Sequence, residues 1–292
     1  MSSDVSRAAR LRAAIADHTV VLPGAFNPLT AQAIEQAGFE AIYLSGGALA
    51  NSLLGVPDVG LTTLSEAVFH ATRCAAVTSI PIIADADTGF GGPENVARTV
   101  QEFERAGLSG LHLEDQEFPK RCGHLSDKNL VPAGEFCEKI SAAVEARRDP
   151  DFMLIARTDA RGVTSYDDAV ERAHAYVKAG ADAVFPEALP TQEEFGRFAG
   201  DVDVPLLANM TEFGRTPYLS VDDFVEMGYR LVIFPVTLQR IAMKAVLSAL
   251  EVLREQGTQR DLLERMQTRQ ELYDLLQYNV AVPPPAPKGD SV

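Results

Sequence analysis

The sequence predicts an α/β protein of the (β/α)8, TIM-type barrel class. Three observations carry that expectation. Eight short apolar runs alternate with amphipathic stretches along nearly the whole chain, the dipeptide Ala-Gly recurs just ahead of a run, and each run ends in polar or small residues. A chain of 292 residues accommodates one barrel of roughly 250 residues plus terminal additions.

The runs read as strands are 20–26, 41–47, 81–89, 110–116, 152–160, 183–189, 204–214 and 230–237. Amphipathic helices fall between them, for example over 93–107 and 165–180, with Asp, Ser or Pro near their starts and Gly near several ends. Ala37-Gly38, Ala106-Gly107 and Ala179-Gly180 read as a repeated helix-to-strand turn. A doubly wound open sheet is the alternative, but no Gly-x-Gly-x-x-Gly follows the first strand. Residues 1–281 are expected to form a single barrel domain with a helical extension over about 238–278, and the proline-rich 282–292 is expected to be disordered.

At 46% apolar and 23% charged, the composition is that of a globular protein with a sizeable core. The formal net charge of −15 argues against nucleic acid and anionic membranes as partners. No apolar run approaches the roughly 20 residues of a membrane span, and the charged N-terminus lacks a signal-peptide core, so a cytoplasmic enzyme is expected. Cys74, Cys122 and Cys137 form no CxxC pair and suit reduced thiols.

The strand ends carry Ser45-Gly46-Gly47, Asp85 and Asp87, Glu114 and Asp115, Arg157 and Asp159, Glu187, and Asn209 with Thr211. In a barrel these ends converge on one face, where an active site is expected. Asp85 and Asp87, two apart on a strand, should aim the same way and repel unless protonated or given a cation. Oxygen ligands of that kind suit Mg²⁺ or Mn²⁺, which Glu114 and Asp58 could join directly or through water. An acidic pair that merely caps neighbouring loops is the other reading of Asp-x-Asp. In Glu117-Phe-Pro-Lys-Arg-Cys-Gly-His-Leu-Ser-Asp127, Lys120, Arg121 and His124 surround Cys122 with charge that favours a reactive thiol, and Gly123 permits close backbone approach. Cys74 and Cys137, in helical runs, read as inert.

Read together, Tyr43-Leu-Ser-Gly-Gly47, Pro57-Asp-Val-Gly60, Asp85-Ala-Asp-Thr-Gly-Phe-Gly91, His112-Leu-Glu-Asp-Gln116, Lys120-Arg-Cys-Gly-His124, Ala156-Arg-Thr-Asp159, Phe185-Pro-Glu187, Asn209-Met-Thr-Glu-Phe-Gly214 and Met266-Gln-Thr-Arg269 resemble the isocitrate lyase / phosphoenolpyruvate mutase superfamily, and within it the 2-methylisocitrate lyases. The resemblance runs from about Leu11 to about Tyr278. It implies Mg²⁺-dependent scission of 2-methylisocitrate to pyruvate and succinate in propionate degradation, with Cys122 as the acid that protonates C3. It implies a metal pair in Asp85 and Asp87 helped by Asp58 and Glu114, and an oxyanion cation in Arg157. Ser45, Gly46, Gly47, Gly123, Glu187, Asn209, Met210, Thr211, Arg240 and Arg269 are implied as substrate contacts. Tyr43 is a candidate base or relay, Lys120 a catalytic cation, and His124 an orienting group. A homotetramer exchanging its C-terminal helices is also implied.

Phosphoenolpyruvate mutases have a cysteine-free loop at this position, isocitrate lyases are longer and bulkier at Phe185-Pro186, and dimethylmalate lyases and oxaloacetate hydrolases read Glu-Gly-Gly at Glu212-Phe213-Gly214. Residues 125–127 depart from the usual, more basic continuation of the loop. The alternatives are another lyase of the superfamily, acting on isocitrate, dimethylmalate or oxaloacetate, and a non-catalytic carboxylate-binding barrel. The latter would not need a thiol in a cationic loop beside paired acids.

Overall fold

The computed structural model describes residues 5–121, 123 and 127–278; the tail expected to be disordered lies outside them. Its strands are β1 (Val20–Pro23), β2 (Ile42–Leu44), β3 (Ile82–Asp85), β4 (Gly110–Glu114), β5 (Met153–Thr158), β6 (Ala183–Pro186), β7 (Leu207–Asn209) and β8 (Leu231–Phe234). All pair in parallel, in two runs, β1-β8-β7 and β2-β3-β4-β5-β6. Single parallel bridges, Gly24 with Tyr43 and Val184 with Leu206, join the runs and close the eight-stranded barrel.

The helices are α1 (Arg7–Asp17), α2 (Pro28–Gln36), α3 (Gly46–Leu49), α4 (Leu64–Ala76), α5 (Pro93–Arg105), α6 (Ala133–Ala146), α7 (Ala160–Val163), α8 (Tyr166–Lys178), α9 (Gln192–Asp201), α10 (Val221–Glu226), α11 (Thr237–Gln256) and α12 (Arg269–Leu275). Local chemistry explains their starts. Asn27, Ser45, Ser165 and Thr191 cap with their side chains, Thr63 with Glu66 and Ser220 with Asp223 form capping boxes, and Pro93 stands at the first turn of α5. The Ala-Gly dipeptides do end helices as expected. Gly38, Gly107 and Gly180 have φ of 87°, 85° and 110°, and the next N–H reaches back five residues, as in Leu108 to the Phe103 carbonyl. Met227-Gly228 repeats the device without the alanine, Tyr229 donating to Phe224.

The chain forms two compact units, Met1–Gln239 and Arg240–Val292. In the first, the barrel interior is packed by Val20, Leu22, Tyr43, Ile83, Met153, Ile155, Phe185, Leu207, Leu231 and Ile233, and α1 adds Leu11 and Ile15 to the same cluster. The outward strand faces pack against helices in two further clusters, one around Phe103, Phe136 and Tyr176, the other around Phe195, Phe198, Phe224 and Tyr229. The second unit holds most of α11, a 3-10 turn at Arg260–Arg265, and α12. No helix among the described residues is long and apolar enough to cross a membrane.

The strands stop short of their apolar runs because the polar residues that end each run turn out of the ladder. Asp87 shows this, with φ at 46° two residues past the end of β3.

Gly24, which donates to the Phe234 carbonyl (2.9 Å), has no room for a Cβ: one would run into the Pro235 carbonyl. Gly24→Ala is therefore expected to cost about 2 kcal/mol, on the order of 5 °C in melting temperature. Thermal unfolding followed by circular dichroism checks this, and an unchanged midpoint would show that the seam between β1 and β8 has slack.

Candidate active site

The chemistry-bearing side chains of the first unit gather at the C-terminal ends of β2 to β7. Tyr43 and Ser45 come from β2 and the residue after it, and Asp85 and Asp87 from the end of β3. β4 supplies His112 and Glu114, β5 Arg157 followed by Asp159, Glu187 follows β6, and Asn209 ends β7, with Met210 and Thr211 just after it. Within a strand the inward set is fixed by the period of two, which places His112 and Glu114 on one face.

Arg157 is the most constrained of these. Its Nε and Nη2 donate to Asp159 Oδ2 and Oδ1 at 2.9 and 3.1 Å, while Nη1 lies 3.3 Å from Glu114 Oε2 and 3.6 Å from Glu187 Oε2. Its guanidinium also stands 5.1 Å from the centre of the Phe185 ring. Burial disfavours the charge, but Asp159, Glu114 and Glu187 outweigh it and hold the guanidinium well above its ordinary pKa. Asp159, which burial would raise, is pulled down to about 2 by Arg157 and Lys128. Glu114 goes the other way: burial lifts it well above the usual carboxylate range against Arg157 and Lys120.

A second group forms around the β3 acids. Burial raises Asp87 to about 6, whereas Asp85, which burial would also raise, is held below its ordinary value by His112, Lys120 and Arg157. The two carboxylates do meet: a Cβ on Gly46 would lie 2.8 Å from Asp85 Oδ2 and 3.2 Å from Asp87 Oδ1. They meet through a turn rather than through strand alternation, since the Asp87 N–H donates to Asp85 Oδ1 at 2.9 Å. Lys120 donates to Asp58 Oδ1 and sits 2.7 Å from Asp87 Oδ1, and these acids keep its ammonium well above the usual lysine range despite burial. Gly46 and Gly47 back onto these acids, with Gly46 N–H donating to Asp85 Oδ2 at 3.1 Å and Ser45 Oγ accepting from Ala48 N–H.

Among the described residues, no three His, Cys, Asp or Glu side chains converge as a ready-made metal cage. The acids nonetheless fit a hard cation that keeps several waters and takes one or two carboxylates directly. Asp85 and Asp87 each turn an oxygen towards Gly46, and Glu114 Oε1 is buried with no hydrogen-bond partner among the described residues, an acceptor suited to a bound water.

Tyr43 and His112 make a third contact group. The Tyr43 hydroxyl lies 2.7 Å from His112 Nε2, the rings stack at 5.8 Å, and Phe185 meets the imidazole edge-on. Burial lowers His112 to about 4 and raises Tyr43 well above its ordinary value, so both are neutral near pH 7. Asn209 Nδ2 donates to Glu187 (3.3 Å), Thr211 donates to Asn209 Oδ1 (2.7 Å), and Met210 is buried beside them.

Gly123 packs into the same region: a Cβ there would overlap Arg157 Nη2 and lie 2.6 Å from Glu187 Cγ. Cys122 and His124 lie outside the described residues. Arg240 and Arg269 belong to the second unit.

His112, Gln116 and Lys128 are structural participants that the sequence reading did not single out. The period of two that placed Glu114 inward also marks His112. Gln116, which exchanges hydrogen bonds with the Arg121 backbone at 2.8 and 2.9 Å, carries no such pattern, and neither does Lys128.

The model of the phosphoenolpyruvate phosphomutase family matches residues 11–254. A 2-methylisocitrate lyase of Aeropyrum pernix is 54% identical over 260 residues, which cover 89% of this chain and 83% of that protein. A probable 2-methylisocitrate lyase of Corynebacterium glutamicum is 52% identical over 270 residues, 92% of this chain and 88% of the other. Among solved structures, a 2,3-dimethylmalate lyase of the phosphoenolpyruvate mutase/isocitrate lyase superfamily matches with a TM-score of 0.88 at 38% identity, covering 94% of this chain and 92% of its own.

His112 generates a stability prediction. Its folded pKa of about 4 lies below the ordinary 6.5, so the unfolded chain binds the proton first; the stabilisation is fully present above 6.5 and is lost as pH falls towards 4. In EDTA-containing buffer, the wild type should lose on the order of 2 kcal/mol through this group between pH 7 and pH 5. His112→Asn should lack that component in urea titrations, and parallel pH profiles for the two proteins would contradict a neutral buried imidazole.

Proposed function

The chain belongs to the phosphoenolpyruvate phosphomutase family, and from that premise we propose that it is a metal-dependent carbon–carbon lyase that cleaves 2-methylisocitrate to pyruvate and succinate. The observation that carries this reading is identity of 54% and 52%, over about nine-tenths of the chain, to proteins bearing that activity in their names. The 2,3-dimethylmalate lyase is less similar, at 38%.

The reaction asks for three things. The 2-hydroxyl must lose its proton, the C2–C3 bond must break, and the negative charge gathering on C3 must be quenched by a proton. Mg²⁺, with Mn²⁺ as a substitute, held by Asp85 and Asp87 and through water by Asp58 and Glu114, would supply polarisation of the hydroxyl and its neighbouring carboxylate. Arg157 is already oriented by three carboxylates and faces charge developing on the pyruvate half without reorganising, which is where electrostatic stabilisation is most effective. Lys120 keeps Asp58 and Asp87 compatible with one another. Tyr43, protonated near neutrality and bonded to His112, suits a relay better than a resting base.

Cys122 is assigned the protonation of C3, with His124 orienting the segment around it. Ser45, Gly46, Gly47, Gly123, Glu187, Asn209, Met210 and Thr211 are assigned to the substrate's carboxylates and hydroxyl, together with Arg240 and Arg269, whose planar guanidinium forks match carboxylates. We also place the enzyme in the cytoplasm as a homotetramer. A stripe of exposed apolar residues on α11 (Met243, Val246, Leu247, Leu250 and Leu253) supports assembly through that helix.

Purified protein with Mg²⁺ should release pyruvate from 2-methylisocitrate and stop on addition of EDTA. A higher kcat/KM on isocitrate or dimethylmalate would reject the substrate assignment while leaving the lyase. Cys122→Ala is expected to lower kcat by roughly a hundredfold to ten-thousandfold with Mg²⁺ affinity unchanged, and near-parental turnover would remove Cys122 from the acid role. Asp85→Ala should abolish the metal dependence, so an unaltered Mg²⁺ titration would exclude it as a ligand. Sedimentation as a monomer would refute the assembly.

A further inference from the structure

Lys128 is an anomaly on simple grounds. It stands five residues past Gly123 in the segment that follows β4, yet its side chain is only 1% exposed. A lysine sealed from water has lost hydration that only close partners can offset. Its two hydrogen-bond partners are both informative. Nζ donates to Asp159 Oδ1 at 2.5 Å and to the Gly123 carbonyl.

Asp159 Oδ1 is the same oxygen that accepts from Arg157 Nη2, and the Asp159 backbone is itself anchored, its N–H donating to Asp115 Oδ1 at 2.9 Å. Asp115 is fixed in turn by Thr158, Tyr176 and Arg172. On the other side, Gly123 is pressed against Arg157 and Glu187 closely enough that no Cβ fits. One ammonium therefore ties the backbone at residue 123 to the carboxylate that aims Arg157. The pull of Arg157 and Lys128 that lowers Asp159 to about 2 agrees with this sharing.

We propose that Lys128 is a positioning residue for the reaction, bridging the Gly123 carbonyl and the Asp159 carboxylate so that residue 123 is seated against Arg157 and Glu187 and Arg157 is held in its productive direction. The inference rests on the lyase reading of the site. Of the assigned substrate contacts Lys128 bonds the Gly123 backbone, and its hydrogen-bond partners among the described residues do not include Ser45, Asn209 or Thr211. The loss should fall on turnover and spare substrate capture.

The test uses the full chain with Mg²⁺ and compares Lys128→Met, of similar length but uncharged, with Lys128→Arg. Lys128→Met is expected to lower kcat by about a hundredfold with KM changed less than about threefold, as misplacement of a reacting group does. Independently of any substrate, trypsin should cut after Arg121 at least about tenfold faster in Lys128→Met, with Lys128→Arg closer to the parent, as expected if the charge-assisted bond seats the segment. Should Lys128→Met fail to fold, Lys128→Gln, polar but uncharged and shorter than lysine, so that it loses the charge-assisted bridge, provides the same two readings. An unchanged kcat, a loss confined to KM, or an unaltered tryptic rate would overturn the proposal. A parent protein that turns over no 2-methylisocitrate would instead sink the lyase reading, while the tryptic rates still judge Lys128.

Discussion

A guanidinium sealed into the top of a closed barrel can remain charged only if carboxylates come with it, and much of the site's architecture follows from that requirement at Arg157. Asp159 takes the forked pair of hydrogen bonds, and Glu114 and Glu187 approach the remaining nitrogen from neighbouring strands. Removing any one of these partners would leave part of the charge uncompensated, a larger penalty than the pair's net contribution to stability. The arrangement is therefore poor as a means of stabilising a fold and well suited to presenting a fixed cation to a reacting anion. Its rigidity extends outward from Asp159 to Asp115, and from there to Tyr176 and Arg172 on α8, so a helix on the barrel's exterior helps to set the direction of a group at its mouth.

The acids after β3 solve the same problem in the opposite sense. Asp58, Asp85 and Asp87 gather around the Gly46-Gly47 backbone, and the chain's own Lys120 supplies one positive charge between Asp58 and Asp87. The titration is divided: cations hold Asp85 low, whereas burial, with Asp85 and Asp58 nearby, outweighs Lys120 at Asp87 and raises it to about 6. The barrel geometry alone does not bring these acids together; the turn that carries Asp87 at φ 46° does.

How much of this was legible in the sequence depends on the range of the interaction. The eight strands announced themselves because each is a local apolar run, and the Ala-Gly turns because a left-handed residue is a local demand. Asp85 and Asp87 could be paired from spacing alone, though the expected cause, alternation along a strand, is replaced by a turn closed through the Asp87 N–H. His112 was within reach of the same periodicity as Glu114. Lys128 was not: nothing in its surroundings in sequence separates it from a solvated lysine, and its burial results from a partner 31 residues away. Gln116 is clamped by a reciprocal pair of hydrogen bonds to Arg121, only five residues on, and is hidden because no periodic pattern marks it.

The net charge of −15 sets the last constraint. An acidic protein repels a di- or tricarboxylate at long range, so attraction has to be created within a few ångströms of the site, inside the distance at which salt screens it. Within the described cluster of the first unit, Lys120, Lys128 and Arg157 face Asp58, Asp85, Asp87, Glu114, Asp159 and Glu187. Three basic groups against six acids leave the mouth formally anionic, and the raised pKa values of Asp87 and Glu114 ease that excess only in part. A substrate carrying several carboxylates would not settle there unless further positive charge arrived with it. A divalent cation on the acids around β3, as proposed for the lyase reaction, would meet that need. On the lyase reading, metal and substrate are thus expected to bind as mutually dependent partners, each lowering the electrostatic cost of the other.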